Sequence, residues 1–376
     1  VTVSEIVDQA IQQAELSFDD RPSVEAAVRL TLGETLHGLG RHADAEQQLL
    51  RSLDLTNALH GDQHNQSAWV RLNLANTIRA QGRLDEAITL YNEAAPIFRA
   101  DPTQQSRLAA TLDSLASAYM ERSELALAEE TLLEVQSIRA SLEDWDAKDA
   151  VRDLLLLSSL QFHRGDLISA EDHLRRALEQ ARSELGDRQE LTVVSLSNLA
   201  VSLKQQDRAA EALPYSEECL ATARAVFGDD HTHTLQAMSN MASLLQALER
   251  YDESESMYLA LLRHFEAKDQ LDHPTGISVS NNLASLYLDQ ERYEDAEQLF
   301  RETLERAGRI FGSRHTNTAM TMGLLAAALR DGRPDTGAVE ARQLLNEALA
   351  ILEETLPPDH PHIEKTRDQL ASLDAE

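Results

Sequence analysis

Asn282-Leu283-Ala284-Ser285-Leu286-Tyr287 leads through Glu291 into Arg292-Tyr293-Glu294-Asp295-Ala296-Glu297, and this stretch decides the fold. Apolar side chains recur at helical spacing, a short polar turn follows, and a small residue returns just after the turn. The same grammar runs along the chain. A small residue three to five positions past a turn stands at Ala45, Ala87, Ala128, Ala170, Ala212, Ser254, Ala296 and Ala341, in steps of 42, 41, 42, 42, 42, 42 and 45. A fixed step of this size marks a repeat array, in which each unit buries its apolar face against the next.

The turns read Gly40-Arg41, Gly82-Arg83, Ser123-Glu124, Gly165-Asp166, Asp207-Arg208, Glu249-Arg250, Glu291-Arg292 and Gly332-Arg333. Glycine suits a helix that must stop in a left-handed conformation before reversing. Seven residues upstream stand Gly33, Ala75, Ala116, Ser158, Ala200, Ala242, Ala284 and Leu325, so small positions on both sides of the turn let two antiparallel helices approach closely. Each unit is therefore a helical hairpin. Tyr91, Leu132, Leu174, Tyr258, Phe300 and Leu345, four residues after their anchors, read as core knobs. Proline after Arg21, Asp101, His273 and His360 marks helix starts, where its missing N–H costs nothing. Residues 1–20, with Thr2 and Glu5 as a capping box, predict an N-terminal capping helix. Residues 21–359 hold the eight repeats, and 360–376 predict a closing helix.

Composition agrees. Hydrophobic residues make up 42% of the 376, aromatics only 4%, a balance that favours helices over strands. Lys plus Arg number 34 against 64 Asp plus Glu, a formal charge of -30 that repels nucleic acid and anionic lipid and favours basic or neutral partners. The lone Cys219 cannot form an internal disulfide, and a reducing, cytoplasmic compartment fits. No apolar run approaches a membrane span and no signal pattern opens the chain. The start at Val1 suits a piece excised from a longer protein.

These residues resemble tetratricopeptide repeats, most closely the 42-residue variety of kinesin light chains and of many bacterial multi-repeat proteins. The inter-repeat loops Phe227-Gly228-Asp229-Asp230-His231-Thr232, Phe311-Gly312-Ser313-Arg314-His315-Thr316 and Leu356-Pro357-Pro358-Asp359-His360-Pro361 carry the likeness further. It implies an all-α, right-handed superhelical solenoid that holds a protein or peptide. Residues 3–50 also resemble the segment after the kinase domain in some bacterial serine/threonine kinases, but the chain has no Gly-rich loop, catalytic Asp motif or Lys-bearing strand, so kinase chemistry is not assigned to it.

The resemblance also implies that the first helix of each hairpin lines a concave groove. Asn73, Asn76, Asn198, Asn240, Asn281 and Asn282 fall there, and an Asn amide offers donor and acceptor to a peptide backbone. The same side chains are equally suited to bridge neighbouring repeats. Leu72, Ser197, Ser239, Ser243, Gln246, Ser278 and Ser285 share the face. Arg79, Arg152 and Lys204 are candidate cations for a partner carboxylate, with solvated single charges as the plainer reading. Trp69 reads as an interface anchor or as a staple between repeats. Repeat four, with Leu155, Leu156 and Leu157 in place of Asn, predicts an interruption. The pairs His231/His233 and His360/His362 recur at one loop position with His64 and His315, which favours helix capping over metal. No cofactor, metal or catalytic set is expected. Two functions compete: a peptide-binding scaffold, and a regulatory or self-associating module of a larger signalling protein, with homo-oligomerisation left open.

Overall fold

The computed structural model describes residues 7, 9–11, 21–142, 147–268, 270–356, 358 and 360–374. The chain divides into two compact units, Val1–Asp146 and Ala147–Glu376. Among the described residues there is no strand. Unit 1 contains α1 (Pro22–Gly38), α2 (His42–His60), α3 (Asn65–Ala80), α4 (Leu84–Ala100), α5 (Gln105–Glu121) and α6 (Leu125–Ser141). Unit 2 contains α7 (Ala147–His163), α8 (Leu167–Gln180), α9 (Glu190–Gln205), α10 (Ala209–Phe227), α11 (Thr232–Ala247), α12 (Tyr251–Ala267), α13 (Pro274–Asp289), α14 (Tyr293–Ile310), α15 (Thr316–Gly332), α16 (Pro334–Thr355) and α17 (Pro361–Asp374). Consecutive helices pair into hairpins, and within each unit the first helices of adjacent hairpins also touch, so each unit is an all-α solenoid with a continuous row of first helices.

All eight anchors, Ala45 through Ala341, have no exposed surface. Their small size is what lets the paired helix come close. At Gly33 an added Cβ would lie 2.5 Å from Leu49 Cγ, well inside contact distance. Ser254, the one polar anchor, spends its hydroxyl on Ala242 O at 2.7 Å, the small residue facing it. The six knobs four residues on are buried as well. A fully buried side chain of this size contributes roughly 1.5–3 kcal/mol. At the N-terminus, Val7 is helical and packs with Leu32, Leu36 and Ala45, while the rest of the expected capping helix, Thr2 and Glu5 included, lies outside the described residues. At the other end α17 buries Ile363 and Leu373 against α15 and α16.

The turn position is left-handed in seven of the eight hairpins. Gly40, Gly82 and Gly165 take it, and so do Ser123, Asp207, Glu249 and Glu291, with φ between 58 and 61°. Gly332 departs from this rule: it is helical, and glycine is needed because a Cβ would sit 2.6 Å from Tyr293 Cβ.

The turn arginines form a clamp across the seams. Arg83 holds Glu86 three residues on and also Glu46 of the preceding hairpin at 2.8 Å. Arg208 does the same with Glu211 and Glu171, and Arg292 with Asp295 and Glu255. Arg333 reaches Glu297 at 2.8 Å. In each case the distant carboxylate stands one residue after an anchor. The fourth turn has Asp166 instead, which caps α8 through Ser169 N at 3.0 Å. Exposed pairs of this kind are screened by water, so the ladder sets register more than stability.

The loops on the other side are built from histidine. Nδ1 of His64, His231, His273, His315 and His360 each accepts the backbone N–H two residues on, at 3.1 to 3.2 Å, and so caps α3, α11, α13, α15 and α17. The rings of His231 and His315 stack on Phe227 and Phe311 at 4.5 and 4.9 Å. A hydroxyl locks the loop from below: Ser67, Thr192, Thr234 and Thr318 donate to the carbonyls of Gly61, Gly186, Gly228 and Gly312, six residues back.

Candidate functional site

The first helices α11 and α13 enclose a cleft of about 300 Å³. Gln236, Ser239, Asn240 and Ser243 line it from α11, and Pro274, Thr275, Ser278, Val279 and Asn282 from α13. Helical periodicity places these at steps of three and four on one face. Among the described residues, no charged side chain lines it. Asn282 makes no side-chain hydrogen bond among the described residues, so both its donor and its acceptor stand free at the cleft. Asn240 is held in place: its amide N–H donates to Ser197 Oγ at 3.0 Å, and its oxygen accepts from Gln236.

Below the cleft, Ser243 receives the Lys204 ammonium at 2.6 Å. Burial holds the Lys204 ammonium below the usual lysine range. No carboxylate among the described residues pairs with it. Tyr258, the knob of α12, is fully buried beside Ser243, yet its hydroxyl makes no hydrogen bond, and burial pushes its phenol up to about 12. An unpaired buried hydroxyl costs roughly 1–3 kcal/mol, so this spot is polar without being self-satisfied.

Unit 1 answers the same positions differently. Tyr91 donates to Asn76 Oδ1 at 2.7 Å, and Arg79 reaches Glu121 of the next hairpin at 3.0 Å. Burial raises the Glu121 carboxyl above the usual range, against the pull of Arg79.

The remaining expected groove residues divide by what they touch. Asn73 donates back to Trp69 O at 2.9 Å, within its own helix. Asn281 bridges to Thr321 of the next hairpin at 3.0 Å, and Gln246 to Asp289 at 2.7 Å. Trp69 packs on the core and lies under the Arg107 guanidinium, 4.9 Å away, which ties two hairpins together. Arg152 pairs with Asp149 at 3.3 Å in its own helix. Leu72 is buried in the core, and Asn198 is exposed on α9. A larger hollow of about 440 Å³ lies between α8 and α10, but its guanidiniums are taken: Arg175 by Glu171, Glu211 and Tyr215, and Arg182 by Glu218. The α11–α13 cleft, with an open amide, is the better site. The free cysteine is buried, and burial pushes its thiol up to about 11.

A stack of helical hairpins with small residues at each crossing and a polar row of first helices defines the class, an α-solenoid of interaction type. Tetratricopeptide repeat models match residues 24–100, 151–215, 191–267, 277–336 and 339–362, so the chain belongs to the tetratricopeptide repeat family. No curated relative matches the sequence. Among solved structures, the Rap conjugation gene regulator of the plasmid pLS20 in complex with the Phr* peptide is similar at a TM-score of 0.61 and 13% identity, over 95% of this chain and 98% of that one. A Rap protein complexed with competence and sporulation factor gives 0.52 and 14%, over 94% and 98%. BtubC from P. vanneervenii gives 0.50 and 18%, over 61% and 92%. At these identities the likeness concerns the fold. No helix among the described residues is long and apolar enough to cross a membrane.

Proposed function

We propose that the chain is a peptide-binding scaffold whose unit 2 receives an extended segment of a partner along α9, α11 and α13. The observation that carries this reading is the cleft between α11 and α13, where the free amide of Asn282 faces the hydroxyls of Ser239, Ser243, Thr275 and Ser278. An amide that can give and take one hydrogen bond each matches a peptide unit without demanding a particular side chain. At about 300 Å³ the cleft sits at the small end for a ligand pocket, so affinity comes from a row of such contacts rather than from one deep pocket. One of the similar structures, the pLS20 Rap regulator, is a complex with a peptide, which supports the reading.

The test selects binders from a displayed random peptide library on the intact chain and measures their affinity by titration calorimetry. Asn282→Trp fills the cleft and weakens those peptides at least about tenfold, a loss of roughly 1.4 kcal/mol, with helicity unchanged. Asn92→Trp, on the exposed side of α4, leaves affinity alone. Equal affinity for the Asn282 variant and the parent chain sinks the assignment.

A further inference from the structure

Two polar rungs on the first helices link one hairpin to the next. Arg79 reaches Glu121 at 3.0 Å in unit 1, and Gln246 reaches Asp289 at 2.7 Å in unit 2. In both, the donor stands eight residues before its own anchor and the acid seven residues before the next anchor. Lys204 holds the donor position in the fifth hairpin (α9, α10), but the acid's position in the sixth (α11, α12) is Ala247. The ammonium donates instead to Ser243 Oγ at 2.6 Å, and it forms no ion pair among the described residues. A hydroxyl takes one of its three N–H groups and balances none of its charge.

The surroundings define what would complete this rung. Lys204 is half-buried, and Ser243 is also a wall of the α11–α13 cleft. A carboxylate seated at the Ser243 end of that cleft would meet the ammonium and the hydroxyl together. The neighbouring polar groups are engaged elsewhere, Asn240 with Ser197 and Gln246 with Asp289. Burial without a counter-charge disfavours this ammonium, so a partner that brings one gains more here than at an open surface.

We infer that Lys204 and Ser243 form a subsite for one acidic side chain, an Asp or Glu of the bound segment, which supplies the carboxylate that Ala247 lacks. The inference rests on the peptide-binding reading and adds a sequence preference that backbone contacts to Asn282 do not impose. A side chain is meant rather than a chain end, because on that reading the segment runs past Ser243 in both directions, towards α9 and towards α13. The preference is confined to one place. A formal charge of -30 repels acids from the protein as a whole, but charges are screened beyond roughly 10 Å at about 0.1 M salt. Only the residue beside Lys204 should be acidic.

The test sequences the peptides that the intact chain selects from two displayed random libraries, one with free C-termini and one with the C-terminus fused. Asp or Glu should be enriched at one fixed position in both, and replacing that acid by its amide should weaken a selected peptide about tenfold. This comparison is read on the parent chain, so it does not hang on the folding of a variant. Ala247→Glu, at the exposed last residue of α11, completes the rung from within and should erase the enrichment. Lys204→Glu should turn the enrichment towards Lys or Arg. Peptides weakened by Asn282→Trp that show no fixed acid overturn the subsite and leave the scaffold standing. Enrichment confined to free C-termini, or unchanged in Ala247→Glu, overturns the subsite as well. Failure to select any peptide overturns both.

Discussion

Tyr91 in unit 1 and Tyr258 in unit 2 occupy the same place in their hairpins, four residues after the anchor, and both are fully buried. Around Tyr91 the polar groups are matched: its hydroxyl has Asn76, and Arg79 has Glu121. Around Tyr258 the counterpart of Asn76 is the shorter Ser243, which is taken by Lys204, and the phenol is left alone. One scaffold thus carries a closed polar network and an open one, and the open one lies beside the cleft. Packing is set by the repeat, while the polar balance beside it is set by a few first-helix side chains.

The comparison can be broken with conservative changes. Tyr91→Phe strands Asn76 Oδ1 and should cost about 1–2 kcal/mol in denaturant unfolding, whereas Tyr258→Phe removes a buried hydroxyl that has no partner and should stabilise the chain by about 1 kcal/mol or more. Equal costs would mean that Tyr258 is paired after all. A smaller effect is expected from Arg79→Met, about 1 kcal/mol at neutral pH, because Glu121 loses its partner while remaining partly exposed. Glu121 is an acid whose folded form is held above its ordinary range, so its protonated state favours folding, and that contribution disappears as pH rises. The Arg79→Met deficit should therefore shrink between pH 7 and pH 5, and a deficit constant with pH would remove Glu121 from the explanation. The smallest effect is spectroscopic. With both phenols pushed up to about 12, Tyr91 and Tyr258 should ionise after the other tyrosines in a 295 nm titration, and the stability they lend below pH 10 should fade as pH rises towards 12. Tyr258→Phe should delete one late step.

The hairpins were legible because a small residue at a crossing is a local demand, visible at every step from Ala45 to Ala341. The caps were legible for the same reason, since His231 or His315 acts on an amide two residues away. The clamp was not read: Arg83 and Glu46 lie 37 residues apart, and their pairing needs the register of two neighbouring hairpins. A carboxylate one residue after an anchor, followed by Arg at the next turn, was the available signal. The asparagines were read by type alone, and type does not decide their role. Asn240 and Asn281 reach Ser197 and Thr321 because those hydroxyls stand 43 and 40 residues away, and Asn76 turns inward because its hairpin has a tyrosine at the knob. Among the described residues no such neighbour meets Asn282, and its amide stays free. Gly332 shows the converse, a glycine expected for its backbone freedom and used for a close approach to Tyr293.

Ser123, Asp207, Glu249 and Glu291 hold left-handed backbones that glycine would adopt without strain. Roughly 1 kcal/mol of steric cost at each is borne by the surrounding hairpin. An array built this way has slack at its most demanding position, so individual copies can drift in sequence while the stack survives. The same four sites are ready targets for stabilisation: replacement by Gly there leaves the α11–α13 cleft untouched, and an engineer could harden the array without altering that surface.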